Sequence, residues 1–174
     1  MARDQSALTN WSQYLALRSV AAGLNVLPVN ANLRTARAVG SALYQVDRKH
    51  RDRALHNIHR SFPDMPDSRA AEIAEQSVQH FMQLGIEVFF TPRLVSIDSW
   101  PDHVRLRELE PALDLLLSPE PAILLTGHFG NWELLGYALA TLGFDLDAIA
   151  RPIDNPLVND WLLGVRQRQG MRVI

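Results

Sequence analysis

Between Glu120 and Asp145 two side chains are expected to ionise near neutral pH, His128 and Glu133, within the run Gly127-His-Phe-Gly-Asn-Trp-Glu133. Glu133 falls in the first turn of a predicted helix, Asn131 to Leu142, that is apolar nearly all round through Trp132, Leu134, Leu135, Ala138, Leu139, Ala140 and Leu142. A carboxylate on such a helix is costly unless it is paired or hydrogen-bonded, although a first-turn position gains ~0.3–1 kcal/mol from the helix dipole. A tight glycine turn would lay the His128 imidazole over that first turn, one nitrogen on Glu133 and the other free. That is a general base with an orienting acid: the carboxylate fixes the tautomer and stabilises the imidazolium. Gly127 and Gly130 let backbone approach a substrate, and the amides of Phe129, Gly130 and Asn131 at a helix start can hold an oxyanion. No Gly-x-Ser-x-Gly element and no cysteine is present, so the base would activate a hydroxyl brought by the substrate. The chemistry this predicts is direct acyl transfer without a covalent acyl-enzyme. The competing account is a capping glutamate and a core histidine; the glycine-flanked pairing on a strand-to-helix turn weighs against it. One histidine and one carboxylate fall short of the roughly three protein ligands that zinc takes. No metal and no cofactor is therefore expected.

The elements that must position these residues begin at Pro121. Ala122 to Thr126 is a short continuous apolar run, as in a strand buried on both faces. The glycine turn and the Asn131–Leu142 helix follow, the helix stopped by Gly143. Asp145 to Ala150 reads as a second strand, Leu157 to Gln169 as a helix stopped by Gly170, and Met171 to Ile174 as a third strand just beginning. Strand–helix–strand–helix–strand with short links predicts a parallel sheet with right-handed crossovers. Ligands bind outside the carboxyl ends of such strands, which would set His128 and Arg151 on one rim. Arg151 could clamp a phosphate or a polarised carbonyl, or simply pair with Asp154. Arg166 and Arg168 read as ordinary helix-surface charges.

Residues 1–120 read as a helical, membrane-associated region and residues 121–174 as the first part of an α/β core. The N-terminal helices are expected at Trp11–Leu27, at Ala31–Tyr44 with a cap near Asn30 or Asn32, along the charged run from Asp47 to Arg60, and at Glu72–Phe89. In the last of these Ile73, Phe81, Leu84 and Val88 share the apolar face and Thr91-Pro92 closes the helix. Arg93 to Leu109 reads as irregular with a short strand around Val104, and Glu110 to Leu117 as a helix with Pro111 in its first turn.

The chain of 174 residues is 47% hydrophobic and 21% charged, enough for a real core and unlike a disordered polymer. Its net charge of −2 argues against a nucleic-acid binder. The charge is unevenly spread: nine basic and three acidic residues up to Phe62, then four basic and eleven acidic from Pro63 to Glu120. The N-terminal third should therefore face something anionic. Almost all its positive charge is arginine, Lys49 being the one lysine, and guanidinium forks suit phosphate. The run around Asp47–Arg53 could dock lipid phosphates or be a solvated helix face. No clean transmembrane window exists, since Arg18, Asn25, Pro28, Asn30 and Asn32 interrupt the best one. A helix with Trp11 and Tyr14 can instead lie in a membrane surface.

These residues resemble the bacterial lipid A late acyltransferases, the lauroyl and myristoyl transferases. The resemblance rests on Gly127-His-Phe-Gly-Asn-Trp-Glu133, Arg151-Pro-Ile-Asp-Asn-Pro156 and Arg166-Gln-Arg-Gln-Gly170, with Ala54-Leu-His-Asn57 and Ser61-Phe-Pro63 upstream. It implies an α/β fold in which an N-terminal helical region precedes a parallel-sheet strand–helix–strand acyltransferase core, read here as truncated because the family's chains continue past this point. It implies O-acyl transfer from acyl carrier protein or acyl-CoA to a hydroxyl of a membrane glycolipid of the lipid A precursor type. The expected place is an anionic membrane surface, the cytoplasmic face of the bacterial inner membrane. His128 is implied as base, Glu133 as its partner and Arg151 as a substrate contact. The alternatives are a non-catalytic membrane-binding fragment, a phosphatidylinositol mannoside acyltransferase, or a hydrolase that uses water activated by His128.

Overall fold

The computed structural model describes residues 6–107, 110–167 and 171–174. Its elements in chain order are α1 (Ala7–Leu24), α2 (Val29–Val46), α3 (Arg48–Ser61), α4 (Asp67–Leu94), α5 (Trp100–His103), α6 (Glu110–Leu116), α7 (Trp132–Thr141), β1 (Asp147–Ala148), α8 (Pro156–Gln167) and β2 (Arg172–Val173). Most of the described chain is helical. Two compact units form, one from Ala22 to Phe89 and one joining the described residues up to Ala21 to those from Phe90 onward.

The Ala22–Phe89 unit is built on small residues. Ala36, Tyr44, Ala70, Ala74 and Leu84 are buried, and Gly40 lets α2 lie directly on α4. A Cβ at Gly40 would come 2.5 Å from the Cα of Gln79, so the backbones meet there with no room for a methyl group. A polar cluster flanks the contact. Ser41 Oγ donates to Glu75 Oε1 at 2.7 Å, Gln79 Nε2 donates to Ser41 Oγ and Glu75 Oε1, and Arg37 Nε donates to Gln79 Oε1.

Local chemistry sets the helix ends. Asn32 does not cap α2 as expected; it is buried inside the helix, and its Nδ2 donates to the carbonyls of Leu24 and Leu27 at 2.7 and 3.2 Å. It thus satisfies carbonyls that the end of α1 leaves open. Asp47 caps α3, accepting from the His50 backbone N–H at 3.1 Å and facing His50 Nδ1 at 2.7 Å. Those bonds hold the Asp47 carboxyl below its usual range, the backbone contact contributing most. Helix α4 runs through Thr91-Pro92 to Leu94 instead of closing there. Pro92 lies in the last turn, where a missing N–H removes little of the ladder and the Val95 N–H still reaches the Thr91 carbonyl. Phe81, placed on the apolar face by periodicity, is exposed, while Leu84 is buried. Val104 is extended but forms no strand; it ends the short α5.

In the second unit β1 and β2 pair in parallel, Asp147 opposite Arg172 and Ala148 opposite Val173, joined through α8. Arg172 forks onto Asp147 across the pair, Nε to Oδ1 at 2.7 Å and Nη2 to Oδ2 at 3.1 Å, which lowers the carboxyl's pKa and raises the guanidinium's. Helix α7 packs on this pair, with Gly136 against Leu146 and Met171. The predicted first strand is the main departure. Ala122 to Thr126 is not a strand, and Ile123 and Leu125 are 94% and 97% exposed. An apolar run encodes burial without supplying ladder partners, and the described sheet has two short strands only.

Gly40→Ala should lower stability by about 1–3 kcal/mol in urea unfolding despite alanine's better helix propensity. Gly85→Ala, where nothing lies within 4 Å of the new methyl, should instead gain up to about 1 kcal/mol. Equal effects at the two sites would contradict the close α2–α4 contact.

Candidate active site

The turn before α7 is shaped by backbone conformation. His128 adopts φ 57° and Gly130 φ 62°, both left-handed. For a non-glycine residue that region costs roughly 1–2 kcal/mol, and such outliers gather at functional sites. The His128 N–H donates to Thr126 Oγ1 at 3.3 Å, and its ring packs on Trp132 with centroids 4.8 Å apart at 57°. The imidazole is exposed. Asn131 closes the turn by capping α7, its Oδ1 accepting from the Leu134 N–H at 2.9 Å. Phe129 is 90% exposed with its ring folded back over Gly127.

Glu133 points elsewhere than expected. Its carboxylate is held by Arg166 of α8, Nε to Oε2 at 3.0 Å and Nη2 to Oε1 at 2.5 Å, with both side chains 19% exposed. No His128–Glu133 hydrogen bond or ion pair exists among the described residues. The reason is geometric. A guanidinium offers two parallel donors that match both carboxylate oxygens at once, whereas the left-handed His128 turn directs its ring to Trp132. Arg166 is therefore no ordinary surface charge; it is the residue that sequence reasoning missed. A signal was present: Arg166 follows the apolar residues Trp161, Leu162, Leu163 and Val165, and it is the one cation among the described residues of α8. Arg168 lies outside the described residues.

Arg151 sits on the loop after β1, 83% exposed, 3.7 Å from Asp154 Oδ1. The structure does not join it to His128 or Glu133. An exposed pair at that distance is weak, so the guanidinium can readily exchange Asp154 for another anion. The second unit thus sets out an exposed imidazole on a strained glycine turn, a capped helix start behind it and a half-buried carboxylate braced from the next helix.

An exposed imidazole beside a helix start is an arrangement suited to acid–base chemistry. The model of the bacterial lipid A biosynthesis acyltransferase family matches residues 2–174, and the chain belongs to that family. Its class of reaction is therefore acyl transfer. Searches of curated proteins and of solved structures return no match to the chain.

His128→Gly should change stability by less than about 1 kcal/mol, because relief of left-handed strain offsets the loss of a ring contact of ~0.5–1.5 kcal/mol. A urea midpoint that drops sharply would show that His128 is a packing residue.

Proposed function

We propose that the protein is an O-acyltransferase that moves a fatty acyl chain from a thioester carrier, acyl carrier protein or coenzyme A, to a hydroxyl of a membrane glycolipid of the lipid A precursor type. The observation that carries this reading is the family match over residues 2–174, which includes the Gly-His-Phe-Gly-Asn-Trp-Glu turn. His128 removes the acceptor's hydroxyl proton as that oxygen attacks the thioester carbonyl. The tetrahedral oxyanion is held by the backbone amides of the turn that precedes α7 (Phe129, Gly130 and Asn131), and Arg151, exposed on its own loop, binds an anionic group of a substrate. As the carbon–sulfur bond breaks, the imidazolium returns the proton to the departing thiolate. Glu133 supports the imidazolium from within the brace.

Two surface features support work at an anionic membrane face, the cytoplasmic face of the inner membrane. On α1 the half-buried residues Asn10, Tyr14, Leu17 and Ala21 share one side, while Leu8, Trp11 and Leu15 point outward on the other. No helix among the described residues is long and apolar enough to cross a membrane, so α1 would lie in the interface, apolar side down. On α3 Lys49, Arg53, His56 and Arg60 share one exposed face at helical spacing, with no ion-pair partner among the described residues. The three permanent cations of that row, Lys49, Arg53 and Arg60, suit lipid phosphates.

The test is acyl transfer from a thioester donor to a lipid A precursor in vesicles. His128→Ala should lower the rate by about 10²–10⁴ with folding intact by circular dichroism. A rate near wild type would refute the assignment, and release of free fatty acid without acceptor would mark a hydrolase.

A further inference from the structure

Asn155 is 4% exposed and uses both ends of its amide. Its Oδ1 accepts from the backbone N–H groups of Leu157 and Val158 at 3.0 and 3.3 Å, capping α8. Its Nδ2 donates to the Asn10 carbonyl and to Gln13 Oε1, both at 2.9 Å and both on α1. One side chain thus starts the helix that carries Arg166 and fastens a helix that lies some 145 residues earlier in the chain. The choice of residue type is informative. Aspartate caps a helix as well as asparagine does, so capping alone does not call for the amide; the two donors to α1 do. Helix α1 has no buried residue of its own, which makes a directional polar tie an effective means of fixing its roll. That roll decides whether Leu8, Trp11 and Leu15 point outward.

We propose that Asn155 is a positioning residue: it locks the roll of α1 against the start of α8 and so aims the apolar stripe of α1 at a lipid surface. This rests on the membrane-surface part of the functional reading and not on the chemistry of His128. The partner it serves is the interfacial region of an anionic phospholipid bilayer.

Asn155→Asp keeps the cap, removes both donors to α1 and turns a carboxylate toward the Asn10 carbonyl, so α1 should come away from the start of α8, while an unchanged circular-dichroism spectrum shows that the helices remain. In hydrogen exchange of the full chain, the amides of residues 11–17 should exchange roughly tenfold faster while those of α8 stay unchanged. Adding Gln13→Lys, which brings an ammonium donor from α1 to the introduced carboxylate, should restore the protection. In flotation with phosphatidylcholine vesicles containing phosphatidylglycerol, Asn155→Asp should need roughly tenfold more lipid for half-binding. Unchanged exchange in α1 would overturn the tie. Faster exchange in α1 with unchanged flotation would overturn the positioning role. If wild type does not float at all, while exchange responds as expected, the membrane reading fails and the proposed role of Asn155 falls with it. Loss of acyl transfer in His128→Ala bears on none of these outcomes.

Discussion

The second unit depends on how one carboxylate is satisfied. Glu133 sits in the first turn of a helix with almost no polar face, and leaving its charge unpaired there would cost more than most single contacts return. The Arg166 fork meets both oxygens and ties the start of α7 to the end of α8. With the β1–β2 pair and its Arg172–Asp147 fork, this makes a closed frame of two helices and a parallel ladder. The glycine turn that carries His128 projects from that frame. Its backbone strain is supported by the Asn131 cap and the Trp132 ring that follow it.

The same economy recurs elsewhere. Single amides settle the helix junctions: Asn32 closes the end of α1, and Asn155 joins the start of α8 to α1. Backbone proximity settles the α2–α4 contact, where Gly40 and the buried alanines replace large side chains. The resulting cores are thin, and many large apolar residues stay at the surface. On α1 these form an outward stripe; on the Ala122–Thr126 run they lie along an extended segment without a ladder.

Local features were legible in the sequence. The helix before Gly143, the end of α3 at Ser61-Phe-Pro, α6 with Pro111 and the pairing of the Asp147 and Arg172 segments all follow from caps, breakers and strand–helix alternation. The same holds for the glycine turn with its histidine, because glycines that bracket a titratable group are visible one residue at a time. Long-range pairing stayed hidden. The spacing of His128 and Glu133 suggested a contact between them, but the partner of Glu133 is 33 residues away and was fixed by how α8 returns beside α7. Asn32 looked like a cap because asparagine favours caps, yet its amide serves the preceding helix. Ala122–Thr126 read as a strand because its composition demands burial, and composition says nothing of which neighbour would provide it.

Glu133 and Arg166 therefore work as one unit that sets the frame under the histidine turn. A double-mutant cycle on urea unfolding, with Glu133→Gln, Arg166→Met and the pair together, tests this most directly. The predicted result is a coupling of about 1–3 kcal/mol, the double variant being little worse than either single one. Additive losses would mean that the two side chains act independently and that something else holds α7 against α8.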